Sequence, residues 1–143
     1  MPNKRKRRSL AGFGDMQAMA FVRVGDYPTA GMADTGTSRT VIDAELASRA
    51  GAEYTNRKGK MNIAGHALRG RIAKVRIRAS ATTCEAVVEA FVPDAGQPFR
   101  KGLILGMDFL QAAKMRIDAE TGEAYCPHVA KELGGAKRLK ARK

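Results

Sequence analysis

The sequence predicts a mainly β fold, a barrel or sandwich of short strands with one or two short helices. Three observations lead there. Apolar segments are brief and are punctuated by Gly, Pro and Asp turn chemistry. Residues 72–78, Ile-Ala-Lys-Val-Arg-Ile-Arg, alternate apolar and basic with the period of a half-buried strand. Helical signals are confined to two stretches of about two turns, too short for an alternating α/β architecture. The length, 143 residues, is that of one domain, and an apolar fraction of 44% is enough for a core. With 5 Phe, 3 Tyr and no Trp, that core must be mostly aliphatic.

The first strand is read over Met16–Val24, and Gly25-Asp26-Tyr27-Pro28 turns it into a second over Thr29–Ala33. Asp43 is placed to N-cap a helix over Ala44–Ala50 that stops at Gly51, a connector rather than a core helix. A long hairpin follows, rising from Met61, turning near Ala64-Gly65-His66 and returning through Ile72–Arg78. Cys84–Val92 forms the next strand, closed by Pro93-Asp94-Ala95-Gly96. Leu103-Ile104-Leu105 reads as a buried strand ending at Gly106, then a brief helix over Met107–Ala113. Met115–Asp118 and Ala124–Cys126, around Glu120-Thr121-Gly122, make a final hairpin.

Charge is concentrated at the ends. The formal net charge is +12, yet residues 1–9 carry five basic side chains and residues 131–143 carry six against the single Glu132. The chain therefore divides into a basic arm (1–15), a nearly neutral domain (16–128) and a basic tail (129–143). The arms are expected to bind nucleic acid weakly at most. Arg7-Arg8 is followed by Ser9-Leu10-Ala11-Gly12-Phe13-Gly14-Asp15, which lacks the apolar run of an export signal. No segment has the roughly 18 apolar residues of a membrane-spanning helix, so no membrane partner is expected. Two cysteines, Cys84 and Cys126, are too few for a disulfide scaffold and read as reduced thiols, which points to the cytoplasm. Cys126-Pro127-His128 supplies too few donors for a zinc site, so neither metal nor cofactor is expected.

The sharpest local feature is Ala33-Asp34-Thr35-Gly36-Thr37-Ser38, where a strand gives way to a loop. Alone, Asp-Thr-Gly is a common turn. Here a hairpin precedes it, Arg39-Thr40-Val41-Ile42 and a short helix follow, and Ile104-Leu105-Gly106-Met107-Asp108-Phe109-Leu110 comes about 70 residues later. From Met16 to Asp118 this arrangement resembles the retropepsin-like aspartic proteases. The resemblance implies a closed β-barrel of the acid-protease type. It assigns the catalytic loop to Asp34, Thr35 and Gly36, a substrate-covering flap to the hairpin at Ala64, Gly65 and His66, and the segment behind the loop to Ile104, Leu105 and Gly106. The run before Asp34, Thr-Ala-Gly-Met-Ala, is smaller than the branched run usual in the family, and the hairpin tip has one glycine followed by His66 and Ala67.

The implied chemistry needs two carboxylates facing one water, one ionised to take its proton and one protonated to donate to the substrate carbonyl. The chain holds one Asp-Thr-Gly. A second copy must supply the other carboxylate, so the expectation is a homodimeric aspartic endopeptidase acting on extended polypeptide. Thr35 would hold the two loops together across the axis, and Gly36 would admit backbone and substrate. Thr37 or Ser38 either orients Asp34 or caps the turn locally. His66, at a hairpin tip, is more simply a solvated residue than a catalyst. Arg39 and Asp108 either brace the loop as an ion pair or are unrelated surface charges. The competing expectation is a non-catalytic dimeric module whose basic arms engage nucleic acid or an acidic partner.

Overall fold

The computed structural model describes residues 18–79, 83–99 and 102–127. The basic arm, the basic tail, His128 and the first two residues of the predicted first strand lie outside them. The described elements are strands β1 (Ala18–Val24), β2 (Tyr27–Ala33) and β3 (Val41–Ile42), helix α1 (Ala44–Ala50), and strands β4 (Glu53–Ile63), β5 (His66–Ala79), β6 (Glu85–Pro93) and β7 (Leu103–Leu105). Helix α2 (Met107–Ala112) and strands β8 (Arg116–Asp118) and β9 (Glu123–Tyr125) complete them.

Six strands close into a barrel in the order β1-β2-β7-β3-β6-β5, and β5 returns to β1 through Val22↔Ala79 and Val24↔Ile77. Closure removes most sheet edges. Strand β4 hangs outside the ring on β5, and the β8–β9 hairpin joins β1 on its other side, where Met19 faces Glu123. The alternation read in the sequence is the barrel wall: Ala73, Val75, Ile77 and Ala79 share one face and are buried in the main core, Ile72 is buried on the opposite face in a second cluster with Met32 and Ile104, and Arg71, Lys74, Arg76 and Arg78 are exposed. Phe91 and Phe109 are fully buried. Truncating either to alanine removes a contact set of the kind that typically costs about 3–5 kcal/mol.

Three expectations change. Helix α1 is more than a connector, because Leu46 and Ala47 are buried in the main core. Its caps are as predicted: Asp43 accepts from the Leu46 N–H at 2.7 Å, and Gly51 takes the left-handed conformation at φ 70°. The long hairpin begins at Glu53 rather than Met61, since β4 is an outer strand with most of its residues exposed and shows no buried alternation to read. Cys84 and Cys126 are not free thiols but a disulfide. The fold carries the start of β6 and the end of β9 together, with a Cα–Cα distance of 5.9 Å between positions 42 residues apart, a closeness the local sequence does not encode. With the two cysteines paired, no reduced thiol points to a cytoplasmic setting. No described helix is long and apolar enough to cross a membrane.

Candidate active site

Asp34 follows β2 directly and opens the loop that leads to β3. Strand β7 runs parallel to β2, with Met32 beside Ile104 and Ala33 beside Leu105, so the apolar segment supports the loop from behind. The Asp34 N–H donates to the Leu105 carbonyl at 2.9 Å, continuing that ladder one residue into the loop. The half-buried carboxylate is held at both oxygens: the Gly36 N–H donates to Oδ1 at 2.9 Å, and the Thr37 hydroxyl donates to Oδ2 at 2.8 Å. Two donors fix the plane of the carboxylate. Of the two residues proposed to orient Asp34, Thr37 does so. Ser38 contributes its carbonyl, which accepts from the Asp108 N–H at 3.1 Å. Thr35 is exposed and has no hydrogen bond among the described residues.

A second set of bonds ties the far end of the loop to the β7–α2 corner. The Met107 N–H donates to the Thr37 carbonyl at 2.8 Å. Thr40, fully buried, donates its hydroxyl to Asp108 Oδ1 at 2.7 Å and its N–H to the same carboxylate at 3.0 and 3.1 Å. The Thr40 hydroxyl also accepts from the Gly106 N–H at 3.1 Å. Gly106 has to be glycine for packing reasons: a Cβ there would stand 2.7 Å from the Arg39 carbonyl carbon and 2.9 Å from the Thr37 oxygen.

This geometry corrects the Arg39–Asp108 pair. Asp108 is taken by Thr40, and Arg39 donates to the Glu89 carbonyl at 2.8 Å. No ion pair joins Arg39 and Asp108 among the described residues. Thr40 is the residue that sequence reasoning missed as a site component. It sits at the start of an apolar run and its partner is 68 positions away, so neither spacing nor periodicity flags the contact.

The β4–β5 hairpin turns through Ala64 and Gly65, both at positive φ (51° and 84°), with Ile63 paired to His66. Ala64, Gly65 and His66 are exposed at its tip. Its inner face reaches the loop's support: Met61 and Ile63 pack against a cluster that holds Met32, Leu68 and Ile104.

A retroviral-type aspartyl protease profile, that of the gag-polyprotein aspartyl proteases, matches residues 20–112. The chain belongs to that family. The matched span contains the barrel, the Asp34 loop, the hairpin and α2, so this gag-type aspartyl protease domain carries its aspartic endopeptidase assignment on most of its described residues. Among solved structures, EIAV protease complexed with the inhibitor HBY-793 has a similar fold, with a TM-score of 0.55, 20% identity, and coverage of 71% of this chain and 92% of that one. No curated protein matches the chain in sequence.

Proposed function

We propose that this gag-type protease works as a homodimer, in which the Asp34 carboxylates of two copies share one water. The observation that carries the reading is the Asp34 carboxylate itself, oriented at both oxygens by its own loop in a chain with a single Asp-Thr-Gly. One carboxylate is half of the machinery. A twofold axis beside the loop supplies the other from the same residue, and the exposed Thr35 hydroxyl is available to bond across that axis.

In the dimer one Asp34 is ionised and its partner protonated, because two adjacent carboxylates cannot both hold full charge. The ionised group takes a proton from water as the oxygen attacks the peptide carbonyl carbon, and the protonated group donates to the carbonyl oxygen. Collapse of the resulting gem-diol breaks the C–N bond. The amine leaves with the proton first taken from water, giving one acid and one amine per water consumed. The Gly36 and Thr37 donors pre-set the carboxylate, so no reorganisation is needed at the moment of attack. The β4–β5 hairpin, exposed at Ala64, Gly65 and His66, serves as the flap over an extended substrate.

The test is incubation of the protein with an unbiased peptide library over a range of pH, beside Asp34→Asn, with sedimentation of both. Cleavage strongest on the acidic side of neutrality is expected, lost by about a thousandfold or more in a variant that still dimerises and keeps its circular dichroism. Undiminished turnover by pure Asp34→Asn would sink the catalytic assignment. Unchanged specific activity at concentrations where sedimentation shows monomer would sink the shared site.

A further inference from the structure

Charge within the described domain is strongly segregated. Residues 53–79, the β4–β5 hairpin, hold eight Lys and Arg against Glu53 alone, whereas the other described residues hold five basic and eleven acidic side chains. Part of the hairpin's charge is compensated. Arg57 pairs with Glu89, Arg76 pairs with Glu85 at 3.1 Å, and Lys74 lies across from both Glu53 and Glu89.

Nearer the tip, compensation stops. Lys58 lies directly across from Arg71 and Lys60 directly across from Arg69, all four exposed and none in an ion pair among the described residues. The neighbouring acid Asp94 bonds Arg69 through its backbone N–H, at 2.9 Å from the Arg69 carbonyl. Like charges set directly opposite across a ladder are destabilising. Lysines on an outer strand do discourage sheet-to-sheet aggregation, but that purpose is met by Lys58 and Lys60 on β4 and does not call for Arg69 and Arg71 on the inner neighbour.

Among the described residues strand β4 is also a free edge, the first in the sheet order with β5 as its one partner. Its second row of backbone groups is open to an added strand. An extended polypeptide laid along that edge presents alternate side chains on one face every ~6.8 Å, the same interval that separates Lys58 from Lys60 and Arg69 from Arg71. A single-stranded nucleic acid would want exposed aromatic faces to stack on. The nearby Tyr54 ring is instead covered by the Arg71 guanidinium, 3.8 Å from its centroid.

We propose that the outer face and free edge of the β4–β5 hairpin form a docking site for an extended acidic stretch of polypeptide, read by Lys58, Lys60, Arg69 and Arg71. Its use in feeding substrate to Asp34 rests on the protease reading above; the binding itself does not.

The test is fluorescence anisotropy on the full chain at fixed ionic strength, with labelled decaglutamate, decaglutamine and a ten-residue oligothymidylate as probes. Replacing Lys58, Lys60, Arg69 and Arg71 together by Gln should weaken decaglutamate binding about tenfold or more, since each exposed charge pair contributes a fraction of a tenfold step. Replacing Lys137, Arg138, Lys140 and Arg142 by Gln should change it less than about threefold. Asp34→Asn should bind decaglutamate as the parent does, so a failed protease reading and a failed docking site give different results. Should circular dichroism show the fourfold variant unfolded, Lys60→Gln with Arg69→Gln takes its place, with about a threefold loss expected. Equal losses from hairpin and tail variants, or no loss from the hairpin variant, would overturn the proposal. Tighter binding of oligothymidylate than of decaglutamate, lost in the hairpin variant, would overturn it in favour of nucleic acid.

Discussion

The Asp34–Thr40 loop and the β4–β5 hairpin both lie on the barrel beside Met32 and Ile104, and they are built on opposite plans. The loop is short and is bonded at most of its positions: to Leu105 at its start, to Met107 and Asp108 in its second half, and through the buried Thr40 to Asp108 and Gly106 at its end. The hairpin is long, and its exposed tip carries its only turn constraint in Ala64 and Gly65. Its charges near the tip repel one another rather than brace it. In the proposed mechanism the catalytic geometry thus falls on the densely bonded loop, and the admission of polypeptide falls on the exposed hairpin tip beyond the barrel wall.

The largest expected break in this contrast is Gly106→Ala. The added Cβ has to displace the loop backbone at Arg39 and Thr37, so a loss of about 3 kcal/mol in urea unfolding and a collapse of peptidase activity should come together. Activity preserved at parental stability would show that the loop is more plastic than its bonding indicates. Thr40→Val comes next. It keeps the shape but leaves the Gly106 N–H without its acceptor and Asp108 without the hydroxyl, for about 1–3 kcal/mol. Thr40→Ser restores both bonds, and recovery of most of the lost stability would tie the effect to the hydroxyl.

The hairpin should respond in the other direction. Ala64 holds φ 51°, a conformation that Asn tolerates better and that Asn-Gly turns favour, so Ala64→Asn should stabilise by about 0.5 kcal/mol. Slower amide exchange along Asn62–Ala67, with no change around Asp34, would sharpen the contrast; equal changes in both regions would erase it.

The smallest effect belongs to the Arg57–Glu89 pair, where β4 meets the barrel wall. The hydrogen bond and charge of Arg57 hold the Glu89 carboxyl below its ordinary value. A lowered acid contributes stability that is fully present above the ordinary glutamate range and fades as the pH falls through the lowered value. Parent and Glu89→Gln should therefore differ slightly in melting temperature near neutrality and converge in acid. The pair is solvent-exposed, so the gap at neutrality should also shrink in high salt.

Local chemistry alone determined much of this protein: the strand alternation of residues 72–78, the Asp43 and Gly51 caps of α1, the turn at Ala64-Gly65, and the position of Asp34 at the end of a strand. Each is a property of a few adjacent residues, whereas the link from Asp-Thr-Gly to Ile104-Leu105-Gly106, about 70 residues on, was legible only through the family resemblance. Closure of β5 onto β1, the burial of α1, the start of β4 at Glu53, the Cys84–Cys126 disulfide and the Thr40–Asp108 bond were decided only by tertiary structure. These depend on which distant segments the barrel sets side by side, and an outer strand such as β4 keeps little hydrophobic periodicity because it has little inside to face. The exchange of the Arg39–Asp108 ion pair for Thr40–Asp108 has the same cause. Asp108 is bonded by the N–H and hydroxyl that the loop backbone delivers to it, while Arg39, one residue earlier, reaches the Glu89 carbonyl across the barrel wall.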